Sequence, residues 1–440
     1  MTETHIPWHE SIRVLWMYLM VDLCMPLIMI ILVQYSLHVQ LWNSSYCWLG
    51  GKAGLICALL TFFLSGYGRY VDYPVTKKNQ LVFKTWGLTV FLLTFIAYLN
   101  VGVFSFPRSV ILIWIVITPF IIYLIKLIIS INVYHNKVYV AVLGDGYHFT
   151  EFEKQLLSRQ NIELIYLSIT KPSNLKRQME KISINYLLIN LSKTADNKLI
   201  QELTDLYLIE VKLISLNNFM EKFLLKCYIP YESSDLIYLE RIRAYDKFDY
   251  ILKRIFDIIL ATVLCIICMP VMIYSAIKIR RESPGPIIFS QARVGRFGKE
   301  HIIYKFRSMH VDAEINGAQF AQANDPRAYS FGAFMRKTRI DELPQLWNVI
   351  KGDLHFVGPR PERKIFTNQL EEDIPYYNER HLVSPGITGW AQVLYPYGAN
   401  TEDARQKLMY DLYYIKHWSI LLDLEVLVRT VGVVIGRKGL

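Results

Sequence analysis

Between Ile258 and Ile277 the chain carries no charged side chain, a run about as long as a bilayer core is thick. Lys253 and Arg254 stand before it; Lys278, Arg280 and Arg281 stand after it, followed by Arg293 and Arg296. Positive charge marks the cytoplasmic flank of a span, so a simple crossing would leave one cluster on the wrong side. Pro270 lies inside the run, where it removes a helix hydrogen bond and bends the chain. The pattern predicts a re-entrant hairpin over 254–279, helix–break–helix at Pro270, that dips into one leaflet and returns. A fifth crossing is the alternative. Lys253, Arg254, Arg280 and Arg281 would then form a basic rim at headgroup depth, suited to a lipid phosphate or simply to anionic lipids.

The preceding residues set the context for that segment. Residues 1–136 hold four apolar stretches, roughly 12–36, 51–66, 84–104 and 109–131, the second of them short. The first loop, 37–50, has no Lys or Arg; the next carries Arg69, Lys77, Lys78 and Lys84; the third has only Arg108. Lys126 and Lys137 mark the end of the block. That alternation predicts four crossings with both ends in the cytoplasm. Buried helices of a large soluble core are the alternative, which four such stretches in 136 residues with so few charges disfavour. The whole chain is 53% hydrophobic, with a mean hydropathy of +0.24 and a net charge of +10. Such a balance directs the basic residues toward anionic headgroups or phosphorylated ligands. No nucleic-acid-binding motif accompanies it. The six cysteines show no disulfide or zinc spacing, and Cys265–Cys268 lies in an apolar run as packing.

Residues 137–246 change texture. KVYVAVLG, IELIYLSI, INYLLINL and VKLISL are strand-like runs separated by charged, helix-compatible segments, the pattern of a parallel sheet covered by helices. The first ends in Gly144-Asp145-Gly146, like a Rossmann phosphate turn, but Phe149 stands where a third glycine belongs. Nucleotide binding and a plain structural or regulatory module both remain open.

The chemistry lies in residues 247–440. In RKTRIDELPQLWNVIKGDLHFVGPRPER (336–363), Asp341 and Glu342 adjoin Arg336, Lys337 and Arg339. Cations keep carboxylates ionised, ready to act as nucleophile or metal ligand, although such a cluster also forms as a solvated salt bridge. Pro344 and the following LWNVI predict a helix start beside the acidic pair. Arg360, between Pro359 and Pro361, is a guanidinium on a stiff backbone that suits a two-pronged phosphate contact or a rigid turn.

Taken in order, SPGPIIFSQARVG (283–295), YKFRSM (304–309), NDPR (324–327), RIDELPQLWNVIKGD (339–353), FVGPRPE (356–362), PGITGWAQV (385–393) and YDLYYIKHWSILLDL (410–424) resemble the bacterial sugar transferases. That family moves a hexose-1-phosphate from a nucleotide sugar to a polyprenyl phosphate. LYPYGA (394–399) is similar to the exopolysaccharide branch, and residues 1–246 resemble the long form. The resemblance implies a membrane α-helical N-terminal bundle over 1–136, an α/β Rossmann-like middle domain over 137–246, and an α-rich monotopic catalytic domain over 247–440. It implies Asp341 as nucleophile and Glu342 as a ligand or positioner for Mg²⁺. Arg336 and Arg360 are implied to hold phosphoryl oxygens, with Lys305 and Arg307 as further candidates. Many members have Ser or Thr before the hairpin proline; here Met269 stands there.

The implied reaction is transfer from a UDP-sugar to undecaprenyl phosphate through a phosphosugar-aspartyl intermediate, with UMP released. A direct glycosyltransferase would release UDP instead, and a non-catalytic scaffold for polysaccharide assembly would release nothing. The implied setting is the bacterial inner membrane, multi-pass, with the catalytic domain on the cytoplasmic face among membrane lipids. Apolar helices and an α/β module also offer surfaces for a homodimer.

Overall fold

The computed structural model describes residues 7–37, 44–63, 75–99, 107–134, 137–167, 184, 186–190, 197–208, 211–230, 245–311, 313, 325–396, 398 and 400–435. The chain forms two compact units, Met1–Leu224 and Leu225–Leu440.

The first unit opens with four long helices: α1 (Pro7–Ser36), α2 (Ser44–Phe63), α3 (Val75–Leu99) and α4 (Arg108–Tyr134). By length and composition α1, α2 and α4 suffice to cross a membrane, whereas the apolar part of α3 is the shorter Leu81–Ile96. The short member is therefore the third stretch and not the second. Lys52 lies within α2, its ammonium over the Trp48 ring at 5.8 Å. Arg69, expected in a basic loop, lies outside the described residues.

Small residues and paired charges hold the helices together. Gly50 and Gly54 sit one turn apart on α2, and a Cβ on Gly54 would stand 2.0 Å from the Leu23 carbonyl oxygen. Close helix approach in a membrane depends on such small faces. Trp114 Nε1 donates to the Pro26 carbonyl at 2.8 Å, and the Trp86 and Trp114 rings meet edge to face. Lys126, read from the sequence as a marker of the block's end, is buried and pairs with buried Asp22 at 2.7 Å. Pairing removes the cost of an isolated intramembrane charge.

The same unit contains β1 (Val138–Leu143), α5 (Glu151–Arg159), β2 (Ile162–Leu167), β3 (Tyr186–Ile189), α6 (Asn197–Leu208), β4 (Lys212–Ser215) and a short α7 (Leu216–Phe219). The sheet is parallel throughout, in the order β2-β1-β3-β4, with Val140 registered on both Leu164 and Tyr186. Ala141, Leu143, Leu187, Leu203 and Leu206 fill one core layer. Gly144 takes φ 103°, a turn that favours glycine. The Gly144–Gly146 turn is braced from within. Gly146 N–H donates to the Asn190 carbonyl, and Asn190 Nδ2 donates to that of Tyr147, each at 2.9 Å. Thr150 and Glu153 cap α5 reciprocally. Phe149, in the place of the third glycine, is buried against Tyr147 and Phe219.

In the second unit, α8 (Lys247–Glu282) is the longest helix, and Pro270 does not interrupt it. The expected break is thus a proline inside one helix that by length and composition also suffices to cross a membrane. Its middle is apolar and exposed at Ile259, Ile266, Ile267 and Met269. Its ends are not. Lys253 is buried, pairing with Asp423 at 2.5 Å and donating to Tyr414 Oη at 3.0 Å. Arg254 donates to the Val349 and Ile350 carbonyls. Neither residue lies on an open basic rim, because the donors of each are taken up by carbonyls, a phenol or a carboxylate of the same unit. Arg280 and Arg281 are exposed as expected.

After α8 come an antiparallel hairpin β5 (Ile288–Val294) and β6 (Glu300–Phe306), then α9 (Ser330–Thr338), α10 (Gln345–Lys351), β7 (His355–Val357) and α11 (Lys364–Asp373). β8 (Gly386–Thr388) pairs parallel with β7, followed by α12 (Trp390–Leu394), α13 (Thr401–Lys416) and α14 (Ile420–Ile435). α13 is a core helix, with Tyr410, Tyr413 and Tyr414 buried. Residues upstream of 247 are also pinned into this unit: Cys227 N–H donates to the Met409 carbonyl, and Trp390 Nε1 to that of Leu225.

Candidate active site

The acidic pair sits where three local instructions meet. α9 ends at Arg339, which adopts a left-handed conformation (φ 59°, ψ 16°) and turns the chain into a single 3-10 turn, Ile340–Glu342. A non-glycine residue there is strained and persists only when its surroundings hold it. Pro344 then starts α10, where its missing N–H costs nothing, and Gly352 (φ 100°) ends it. The two carboxylates therefore stand on a short, braced corner between two helices.

Their environments differ. Glu342 accepts from Lys305 Nζ at 3.1 Å, and Arg339 Nη1 lies 3.5 Å away. Burial alone would raise Glu342, yet Lys305, Arg360 and Arg339 together bring it down to about 2. Asp341 is buried, and its Oδ1 meets no donor among the described residues. Burial first, and then repulsion from Glu342, push it up to about 6 against the opposing pull of Lys305, Arg339 and Arg336. One carboxylate is thus held charged near neutral pH, while its neighbour keeps an unused, poorly solvated oxygen.

Glu342 lines a small open pocket together with Arg293, Lys305, Gln345, Arg360 and Pro361. The Arg360 side chain is exposed and makes no hydrogen bond among the described residues. Of the expected phosphate contacts, the structure brings Lys305 and Arg360 to this pocket. Arg336 stays near Asp341 but points Nη1 toward Asp325 at 3.7 Å. Arg307 belongs elsewhere. It is buried and donates to the carbonyls of Ser283 and Pro284, fixing the exit of α8, so it has no reach to a pocket anion. Arg293, read from the sequence only as a basic flank of the apolar run, and Gln345, not singled out at all, also line the pocket. The signal for Arg293 was its place in SPGPIIFSQARVG; in the hairpin Phe289 pairs with Lys305, and Arg293, four residues on along the same strand, shares that face.

Among the described residues no group of three or more His, Cys, Asp or Glu converges as a protein-only metal cage. Mg²⁺ does not need one, since it is commonly held by one or two carboxylates plus substrate phosphates. Asp341 Oδ1, buried and without a donor, next to the Glu342 carboxylate, suits that mode.

The family described as Bacterial sugar transferase matches residues 248–437. A UDP-N-acetylgalactosamine-undecaprenyl-phosphate N-acetylgalactosaminephosphotransferase of Aeromonas hydrophila is 46% identical over 188 residues, 43% of this chain and 44% of its own. A UDP-glucose:undecaprenyl-phosphate glucose-1-phosphate transferase of Xanthomonas campestris pv. campestris is 40% identical over 196 residues, 44% of this chain and 40% of its own. The chain therefore matches less than half the length of these two relatives. The exopolysaccharide production protein PSS of Rhizobium leguminosarum bv. phaseoli is 38% identical over 189 residues, 42% of this chain but 94% of its own. With nearly the whole of that relative covered by the unit that carries the acidic corner, the chain belongs to the bacterial sugar transferase family.

Proposed function

We propose that the chain transfers a hexose-1-phosphate from a UDP-sugar to undecaprenyl phosphate in two displacements at Asp341. The observation that carries this is the unequal acidic pair: a charged Glu342 on a cationic pocket wall beside Asp341 with a free buried oxygen. In the first displacement an Asp341 oxygen attacks the sugar-bearing phosphorus, and the bond from that phosphorus to the bridging oxygen breaks. UMP leaves with the electron pair. In the second, a phosphate oxygen of the lipid attacks the same phosphorus, the bond to Asp341 breaks, and the carboxylate is restored. No electron is gained or lost. Dividing the transfer spares two anionic substrates from meeting directly.

Lys305 and Arg360 hold the diphosphate oxygens, and Arg293 extends the cationic wall. Glu342 and Asp341 would hold Mg²⁺, which when bound offsets phosphate charge and improves the leaving group. Lys305 also keeps Glu342 ionised and lowers the cost of ionising Asp341.

The acceptor is membrane-bound, and α8 supports a re-entrant path. A straight helix would place Arg254 and Ile279 about 37 Å apart. Yet Arg254 bonds the end of α10, Asn348 of α10 bonds the backbone of Tyr304, and Phe306, two residues on, packs with Ile279. A helix held at both ends by neighbouring elements, with an exposed apolar middle containing Pro270, favours a bow into one leaflet over a crossing. In that arrangement the catalytic unit lies on the cytoplasmic face of the inner membrane, and the parallel sheet is a Rossmann-like module without catalytic duty.

The test is incubation of the full chain with UDP-sugars labelled in the sugar phosphate. A labelled protein adduct with UMP release is expected, lost in Asp341→Asn. Undiminished adduct in that variant removes Asp341 from the nucleophile's place, and UDP in place of UMP identifies a direct glycosyltransferase.

A further inference from the structure

Four consecutive carbonyls of the GPRPE segment are held by four different donors. Pro359 O accepts from Gly386 N at 2.9 Å, Arg360 O from Arg380 Nη2 at 3.0 Å, Pro361 O from Arg293 Nη1 at 3.2 Å, and Glu362 O from Val294 N at 2.9 Å. Two of the donors are backbone amides of strands. Arg380 is different: it is a buried charged side chain brought from another part of the unit to grip one peptide group.

Its other contacts fix its position. Arg380 Nη1 donates to Tyr377 Oη at 2.6 Å, and Nη2 pairs with Asp411 Oδ2 at 2.9 Å, deep on α13. Asp411 is almost fully buried, as is Arg380. A buried ion pair of this kind contributes little net stability compared with apolar residues of the same volume. Its cost has a return if it supplies geometry. The peptide it grips carries Arg360, whose side chain is exposed, lies on the pocket wall and makes no hydrogen bond of its own among the described residues.

We infer that Arg380, anchored by Asp411, is a positioning residue that fixes the direction of the Arg360 guanidinium through the Arg360 carbonyl. The inference rests on the proposed transferase reaction for its purpose, though not for its geometry. A guanidinium that contacts a transferring phosphoryl group must be aimed before the substrate arrives. Errors of about 1 Å in such placement cost on the order of a hundredfold in rate. The two flanking prolines limit backbone freedom but leave the tilt of the 360–361 peptide open; the Arg380 bond removes that freedom.

Two measurements on the full chain in lipid nanodiscs test this. The first needs no activity: hydrogen exchange of the amides over 357–363, Val294 and Gly386 in Arg380→Met. About tenfold faster exchange there, with the β1–β4 sheet unchanged, is expected; unchanged exchange overturns the clamp whatever the reaction is. The second is a double-mutant cycle on UMP release. Arg380→Met should lower kcat/KM by about 10- to 100-fold, mostly through kcat, in the wild-type background, and by less than about threefold in Arg360→Ala. Equal losses in both backgrounds overturn the assignment to Arg360. Absence of UMP from the wild type refutes the proposed reaction, and exchange alone then decides the clamp. Since Arg380→Met leaves Asp411 buried without its cation, Arg380→Met/Asp411→Asn is measured in parallel, with the same expectations.

Discussion

Lys305 Nζ lies 3.1 Å from Glu342 Oε1, so the cation that most lowers both carboxylates at the acidic corner is bound to Glu342 and not to Asp341, the proposed nucleophile. Its influence on Asp341 is indirect but has a definite sign. Lys305 lowers Asp341, while burial and Glu342 raise it to about 6.

An attacking carboxylate must be ionised, so the rate of adduct formation should fall below pH 6 and level off above it. Lys305→Met removes a cation that favours ionisation, and its acid limb should move to higher pH by about one unit. Single-turnover adduct formation between pH 5 and 8 measures this. A limb that stays in place would detach Lys305 from Asp341.

Arg307 and Arg360 should separate cleanly. Arg307 holds the Ser283 and Pro284 carbonyls, so Arg307→Met should lower stability by about 1.5–3 kcal/mol with donor KM unchanged. Arg360→Met should do the reverse. Thermal unfolding and KM for the UDP-sugar, measured on both variants, check the contrast; a raised KM in Arg307→Met would return that residue to the pocket.

The Lys253–Asp423 pair is buried on both sides. Lys253→Met should destabilise the second unit by about 3–5 kcal/mol, whereas Lys253→Met/Asp423→Leu should recover most of that loss. Anionic-lipid binding should be unaffected in the double variant. Vesicle co-sedimentation that falls in step with the missing lysine would restore a headgroup role.

His355 gives an acid-sensitive term. Its Nδ1 lies 2.5 Å from Asp257 Oδ2 and its Nε2 3.1 Å from Tyr245 Oη, a neutral ring donating to the carboxylate and accepting from the phenol. Burial lowers it to about 4 despite the Asp257 bond. A folded value below the ordinary 6.5 means that stabilisation is complete above pH 6.5 and is lost as pH falls toward 4. The loss is roughly 3 kcal/mol. Denaturant unfolding of wild type and His355→Gln between pH 4 and 7.5 reads the difference, and parallel curves would refute it.

Much of the architecture is legible along the chain because it depends on local periodicity. The first and fourth bilayer-length stretches appear as α1 and α4, and the strand-like runs after 137 appear as a parallel sheet; the lengths of the second and third were not legible in this way. The adjacency of Asp341 and Glu342 and the rigidity around Arg360 likewise follow from neighbouring residues, as does the helix start at Pro344.

Partnership is another matter. Lys253, Arg254, Lys126 and Arg307 look alike as exposed basic residues on a string of letters, yet each is occupied by a carboxylate or carbonyl brought from far along the chain. Only folding determines whether a cation faces water, lipid or a buried acceptor, since that depends on which distant groups arrive within 3 Å. The same holds for the division of labour at the acidic corner. Two adjacent carboxylates are chemically near-equivalent until burial and the arrival of Lys305 set one charged and leave the other with an unused oxygen. Local composition sets which groups are present; long-range packing sets their solvation, and solvation decides their chemistry.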